Sequence, residues 1–192
     1  MRIAGGEFKG RLIKTPRSTN LRPSTQKTRE AIFSSLGQDV KGARVADLFC
    51  GSGALGLEAL SRGASHSLFV DSSRIATATV RENIRMLDLD SRAKAVSMNV
   101  LHLRPRHLAA VDIIFADPPY RKGYPERLTA LLSLPKFSYR GILVLEHECE
   151  WRYAGSYFEL LKEIDSGDST VSILSHGGES HGAQGERKGN AA

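Results

Sequence analysis

Short apolar blocks alternate along the chain with longer stretches in which apolar residues recur at helical spacing, the pattern of strands followed by helices. Residues 43–49 form the first block and read as a core strand. The glycine-rich turn 50–56 follows, then a helix to about Arg62 closed by Gly63. Residues 67–71 make a second strand. Ser72 or Ser73 caps a helix through about Leu87, with Ile75, Ala76, Val80, Ile84 and Leu87 facing inward. A third strand is predicted over 95–99 and a short helix over 101–110. The wholly apolar run around 111–116 reads as a buried parallel strand. A helix over 125–133, a strand over 141–147, and two antiparallel strands over 157–164 and 169–175 complete the pattern. The alternation predicts an α/β fold with a doubly wound, Rossmann-like sheet.

The ends differ from this body. Residues 2–10 and 11–16 read as two short strands turned by Lys9-Gly10 into a small β-hairpin extension, too small to fold unless it docks. Pro16 and Pro23 bracket an extended linker. Ser24 or Thr25 then caps a helix to Leu36, with Ala31, Ile32, Ser35 and Leu36 inward and Gly37 as its stop. From His176 the chain is rich in Gly, His and Ser without periodicity, and disorder is expected. The division is therefore a basic arm over 1–23, a main domain over 24–175 and a tail over 176–192.

Composition adds constraints. With 192 residues, 41% of them hydrophobic, the chain can bury one sizeable core. No apolar run is long enough to span a membrane and the first residues do not resemble a signal peptide, so a soluble cytoplasmic protein is expected. Cys50 and Cys149 have no metal-ligand spacing and the six His are scattered, which predicts reduced thiols and no metal site. The net charge is +6, and all of the excess lies in residues 1–41, with nine Lys/Arg against three acids. A basic arm on a neutral body suggests a polyanionic partner.

Two stretches carry candidate chemistry. Gly51-Ser-Gly53-Ala-Leu-Gly56 matches the G-x-G-x-x-G fingerprint between a strand and a helix, and Asp71 stands at the end of the next strand, where an acid takes ribose hydroxyls. Either a dinucleotide such as NAD or S-adenosylmethionine fits. Asp47 favours the second: an acid there can receive an ammonium, whereas it repels a pyrophosphate. The other stretch is Asp117-Pro118-Pro119-Tyr120 at the end of the 111–116 strand. The prolines lack the N–H that a sheet ladder needs, so the strand stops and the chain turns out. The Asp117 carboxylate and the Pro118 carbonyl can accept both hydrogens of an exocyclic NH2 group, Pro119 stiffens the loop, and Tyr120 offers a face on which a base stacks.

Asp47-Leu-Phe-Cys-Gly-Ser-Gly-Ala-Leu-Gly-Leu-Glu-Ala-Leu-Ser-Arg-Gly63 resembles motif I of the bacterial 16S ribosomal RNA guanine-N2 methyltransferases of the RsmD type. The segments 2–11 and 22–33, the Asp-Pro-Pro-Tyr loop and Val144-Leu-Glu-His147 are similar to that family too, so the resemblance spans about 2–175. It implies a seven-stranded methyltransferase sheet with an antiparallel strand in its last pair, S-adenosyl-L-methionine as methyl donor, and a guanine of 16S rRNA as acceptor, within the small ribosomal subunit or an assembly intermediate. Asp47, Leu48, Phe49, Gly51 and Gly53 would line the methionine end, Asp71 and Ser72 the ribose, and Asn99 and Val100 the adenine. Asp117, Pro118, Pro119 and Tyr120 would hold the guanine amino group. Arg2, Lys9, Arg11, Lys14 and Arg22 would grip RNA phosphates, while Arg22 and Arg29 could instead close the cofactor site. The resemblance also implies a monomer. This chain departs from the family at Asn99, usually Asp; at Asp71, more often Glu; at Cys50, often Ala; and in the loosely matched segment 165–170. The alternatives are an adenine-N6 or cytosine-N4 methyltransferase, a non-catalytic RNA-binding assembly factor, and an NAD-linked oxidoreductase.

Overall fold

The computed structural model describes residues 1–16, 25–137 and 139–176. Arg22 and the tail beyond His176 lie outside the described residues. Seven strands form one sheet: β1 (Arg44–Leu48), β2 (His66–Asp71), β3 (Ala93–Ser97), β4 (Ile113–Ala116), β5 (Ile142–Glu148), β6 (Phe158–Asp165) and β7 (Ser169–His176). Their spatial order is β3-β2-β1-β4-β5-β7-β6. The first five run parallel, and β7 lies antiparallel between β5 and β6. Helix α1 (Gln26–Leu36) precedes the sheet. Helices α2 (Ala54–Ser61), α3 (Arg74–Met86), α4 (Pro105–Leu108) and α5 (Tyr124–Leu132) lie in the four crossovers that join β1 to β5.

Both faces of the sheet are covered, which is why the central strands read as continuous apolar runs. One core holds Phe33, Leu57, Leu60, Phe69, Val80 and Phe115. The opposite face packs Leu48, Val70, Leu128, Leu132, Leu143 and Leu145.

Several predicted details shift, each for a local reason. The third strand runs over Ala93–Ser97, two residues earlier than expected, because this edge strand pairs with β2 only from Ala93 opposite Ser67 to Ser97 opposite Asp71. Asn99 therefore stands beyond the strand and caps a 3-10 turn over Val100–His102. The helix expected over 101–110 is split, since Pro105 has no N–H to continue a helix and instead begins α4. In α1 the buried residues are Thr28, Arg29, Ile32, Phe33 and Leu36; Ala31, partly buried, packs against the same core, and Ser35 is not among the buried residues. Ile75 is 57% exposed, one position off the buried stripe of Ala76, Val80 and Ile84. His176 is the last residue of β7, so the final strand reaches into the expected tail.

The N-terminal segment folds back with a single antiparallel bridge, Arg2 to Leu12. The turn is broader than a two-residue Lys9-Gly10 corner. The chain lies flat on α2 at Gly6, where an added Cβ would stand 1.9 Å from the Ser61 carbonyl oxygen, so the bend is spread over the residues that make that contact. Glu58 accepts the Ala4 N–H at 2.7 Å, the Ser61 hydroxyl accepts the Phe8 N–H at 2.9 Å, and Ile3 and Ile13 are buried.

Candidate active site

Strand register decides which side chains meet. Leu48 of β1 lies opposite Val70 of β2 and Ala116 of β4, and Asp71 lies opposite Ser97 of β3. The residues that leave these four strands therefore emerge side by side at the carboxyl edge, where open α/β sheets bind ligands. Along that edge stand Asn99, Asp71, the turn Phe49–Gly53 and Asp117. Leu145 pairs with Ala116, so Glu146 flanks the Asp117 loop from β5.

The glycine turn is held open by backbone conformation. Gly51 and Gly53 have φ of 50° and 78°, and Phe49 takes φ 58°, a left-handed conformation uncommon for a residue with a side chain. At Gly53 an added Cβ would press within 3.1 Å of Phe69 and Val80, whereas at Gly51 it would meet nothing within 4 Å. Gly53 is thus favoured by its positive φ and by tight packing, and Gly51 faces open space. Asp71 spans the turn: one carboxylate oxygen accepts the Gly51 N–H at 3.0 Å and the other the Ser73 N–H at 2.8 Å. Each oxygen keeps a further lone pair for a hydroxyl. Ser72 follows directly.

Asp47 has a structural role that its position in the sequence does not announce. It is 3% exposed and accepts the Gly56 N–H at 2.9 Å. That N–H belongs to the first turn of α2, whose N-cap, Gly53, has no side chain to offer, so an acid from β1 caps the helix. Burial pushes the Asp47 carboxyl up to about 8; the Gly56 hydrogen bond opposes the shift and the nearby Asp71 charge adds to it. Cys50 is buried beside it, and desolvation raises its thiol well above the ordinary range.

The Asp-Pro-Pro-Tyr loop is braced at its Tyr120 end. Asp117 is half-buried, Pro118 buried, and Tyr120 is 44% exposed. The Tyr120 hydroxyl donates to Glu146 at 3.1 Å, and the same carboxylate oxygen accepts the Ser169 hydroxyl of β7 at 2.7 Å. Burial raises the Tyr120 hydroxyl above its ordinary range, so it stays a donor. Beyond the loop the Arg121 N–H donates to Glu148, and Tyr124 packs edge-on against Phe49 at 4.9 Å. The last contact ties the glycine turn to the start of α5. The brace through Glu146 was not read from the sequence; it depends on which strand lies beside β4.

Other predicted site residues are placed as follows. The Asn99 side-chain oxygen accepts the Leu101 N–H at 2.9 Å and the residue is exposed, whereas Val100 is buried. Arg2, Lys9, Arg11 and Lys14 are all exposed on the N-terminal segment. Arg2 donates to the Gly10 carbonyl, Arg11 to the Met86 carbonyl, and Lys14 pairs with Glu82 at 3.1 Å. Arg29 is only 2% exposed and donates to the Arg2 carbonyl and the Met1 sulfur, so it anchors the N-terminal segment from beneath. No helix among the described residues is long and apolar enough to cross a membrane.

Comparison with known proteins places this architecture. The family described as conserved hypothetical protein 95 matches residues 1–175. The chain belongs to that family. Among its relatives, ribosomal RNA small subunit methyltransferase D of Escherichia coli is 36% identical over 133 residues, covering 69% of this chain and 67% of that protein. YlbH of Bacillus subtilis is 39% identical over 78% of this chain and 84% of its own length. In three dimensions the Escherichia coli protein yhhF superimposes with a TM-score of 0.79 at 30% identity, covering 92% of this chain and 97% of its own. The family match takes in the N-terminal segment as well as the sheet and its carboxyl edge.

Proposed function

We propose that the chain transfers a methyl group from S-adenosylmethionine to the exocyclic N2 of a guanine in 16S rRNA. The observation that carries this reading is the single row of strand ends that sets an Asp-Pro-Pro-Tyr loop beside a glycine turn flanked by Asp47 and Asp71. The kinship with ribosomal RNA small subunit methyltransferase D supports RNA as the acceptor.

The residues fit the cofactor. Gly51 lets backbone approach a ligand without a Cβ in the way, Asp71 keeps acceptors for ribose hydroxyls, and the buried Asp47 is a site where a cationic ammonium favours ionisation. When bound, S-adenosylmethionine would supply a methyl group on a sulfonium, an electrophilic carbon whose bond to sulfur would break as the bond to N2 formed, with the N2 proton passing to solvent. The chain's part is positioning and charge. The Asp117 carboxylate and the Pro118 carbonyl accept the two N2 hydrogens and stabilise the positive charge that grows on nitrogen. Tyr120, fixed through its hydroxyl to Glu146, offers its face to the base, which must leave its stack to enter. Arg2, Lys9, Arg11 and Lys14 face phosphates. The enzyme acts in the cytoplasm as a monomer, on the small subunit or an assembly intermediate.

The test is incubation with methyl-labelled S-adenosylmethionine and unmodified small ribosomal subunits, followed by digestion to nucleosides. Label in N2-methylguanosine is expected, and Asp117→Ala should abolish most of it while cofactor binding persists. Label in another nucleoside, or full turnover by Asp117→Ala, would overturn the assignment.

A further inference from the structure

Asn83 lies on the inner face of α3, 0% exposed, among apolar neighbours such as Val80 and Ile84. Burying an amide there costs free energy unless its donors and acceptor are paired. Its oxygen accepts the Lys14 N–H at 2.8 Å. Its nitrogen donates to the Lys14 carbonyl at 3.0 Å and to the Ser52 carbonyl at 3.1 Å. The side chain thus pairs with both backbone groups of one residue, as a neighbouring strand would. It then reaches on to the residue between Gly51 and Gly53.

The two partners belong to different parts of the proposed machinery. Lys14 lies on the exposed basic segment, and Ser52 is the middle of the glycine turn. Arg11 and Lys14 also touch α3, through the Met86 carbonyl and Glu82, but those contacts are at the exposed surface and stop at the helix. Asn83 continues into the turn. An apolar side chain of similar shape would fill the space and leave three part-buried backbone groups without this partner.

We propose that Asn83 is a positioning residue that fixes the N-terminal basic segment and the cofactor turn in one register, so that filling the cofactor site strengthens RNA binding. The inference rests on the functional reading above. Cofactor that settles against the turn holds the Ser52 carbonyl, the shared amide holds Lys14, and the basic segment is presented to RNA already ordered. Coupling of this kind is reciprocal: RNA must tighten cofactor binding by the same factor.

The experiment measures the dissociation constant of a small-subunit rRNA fragment with and without saturating S-adenosylhomocysteine, for the natural chain and for Asn83→Ala and Asn83→Asp. The natural chain should bind RNA at least about 5-fold tighter with the site filled, the lower end of ordinary coupling. Asn83→Ala should bring that ratio close to one. Asn83→Asp keeps an acceptor for the Lys14 N–H but loses both donors, and should also lose the coupling. A purely structural role would lower the melting temperature and leave the ratio unchanged, which would overturn the proposal. Hydrogen exchange on the natural chain tests the same link without a variant. Protection of the Lys14 amide should rise on addition of S-adenosylhomocysteine, and unchanged exchange with the ligand demonstrably bound would also overturn it. Failure of S-adenosylhomocysteine to bind the natural chain would strike the functional reading itself.

Discussion

Replacing Asp47 by Asn should make the ligand-free protein more stable and its stability less dependent on pH. The carboxyl is held near 8 in the folded chain against an ordinary value of 3.8. A carboxyl raised on folding contributes most below its unfolded value, and that contribution is lost as pH rises toward the folded value. At pH 7 the unfolded chain has an ionised Asp47 and the folded chain a largely protonated one, a cost of about 4 kcal/mol at 1.36 kcal/mol per pKa unit. At pH 5 the same arithmetic gives about 2 kcal/mol. Asp47→Asn keeps an oxygen for the Gly56 N–H and removes the ionisation. The variant's advantage should therefore grow from pH 5 to pH 8 by roughly 3 to 4 kcal/mol, on the order of 10 °C in melting temperature for a chain of this size. Thermal unfolding of both proteins across that range is the assay. A difference that does not change with pH, or a variant less stable than the parent at pH 8, would refute the reasoning. The same group should reveal itself in binding. An ammonium brought beside Asp47 favours its ionised form, so S-adenosylmethionine binding at pH 7 should release close to one proton, measurable by calorimetry in buffers of different ionisation enthalpy. Asp47→Asn should bind cofactor more weakly, an exchange of function for stability.

Gly56→Ala should destabilise the fold by about 1–3 kcal/mol, because the new Cβ would stand 2.4 Å from the Phe69 ring and 2.7 Å from the Ser67 hydroxyl oxygen in a filled core; an unchanged melting temperature would contradict the packing account. Glu146→Ala removes the acceptor shared by Tyr120 and Ser169. It should lower turnover and raise the RNA KM while leaving cofactor affinity intact, and equal loss of cofactor affinity would mean that the brace is misassigned. Charge reversal at Lys9 and Arg11 should weaken RNA binding and flatten its dependence on salt, by roughly 0.7–0.9 in log–log slope for each phosphate no longer neutralised. An unaltered slope would remove these residues from the RNA surface.

What the sequence disclosed and what it concealed divide along a physical line. The turn 50–56 and the loop 117–120 were legible because their constraints are carried by adjacent residues: glycines that take positive φ, and prolines that cannot join a ladder. Strand and helix alternation was legible for the same reason, since periodicity is local. The arrangements that make a site of these pieces are pairings over distance. Asp47 caps a helix 9 residues on, Tyr120 is held by a carboxylate 26 residues on, and Asn83 binds a backbone 69 residues back. None of the three pairings is marked by its neighbours: Asn83, for instance, reads as one more polar residue of a surface helix. Even the charge count misleads at Arg29, because a guanidinium buried against the Arg2 carbonyl adds to the net charge and nothing to the exposed surface. Among the described residues of the N-terminal segment the exposed cations are Arg2, Lys9, Arg11 and Lys14, the ones that the proposed function would set against phosphates, and Arg29 supplies the anchor on which they are displayed.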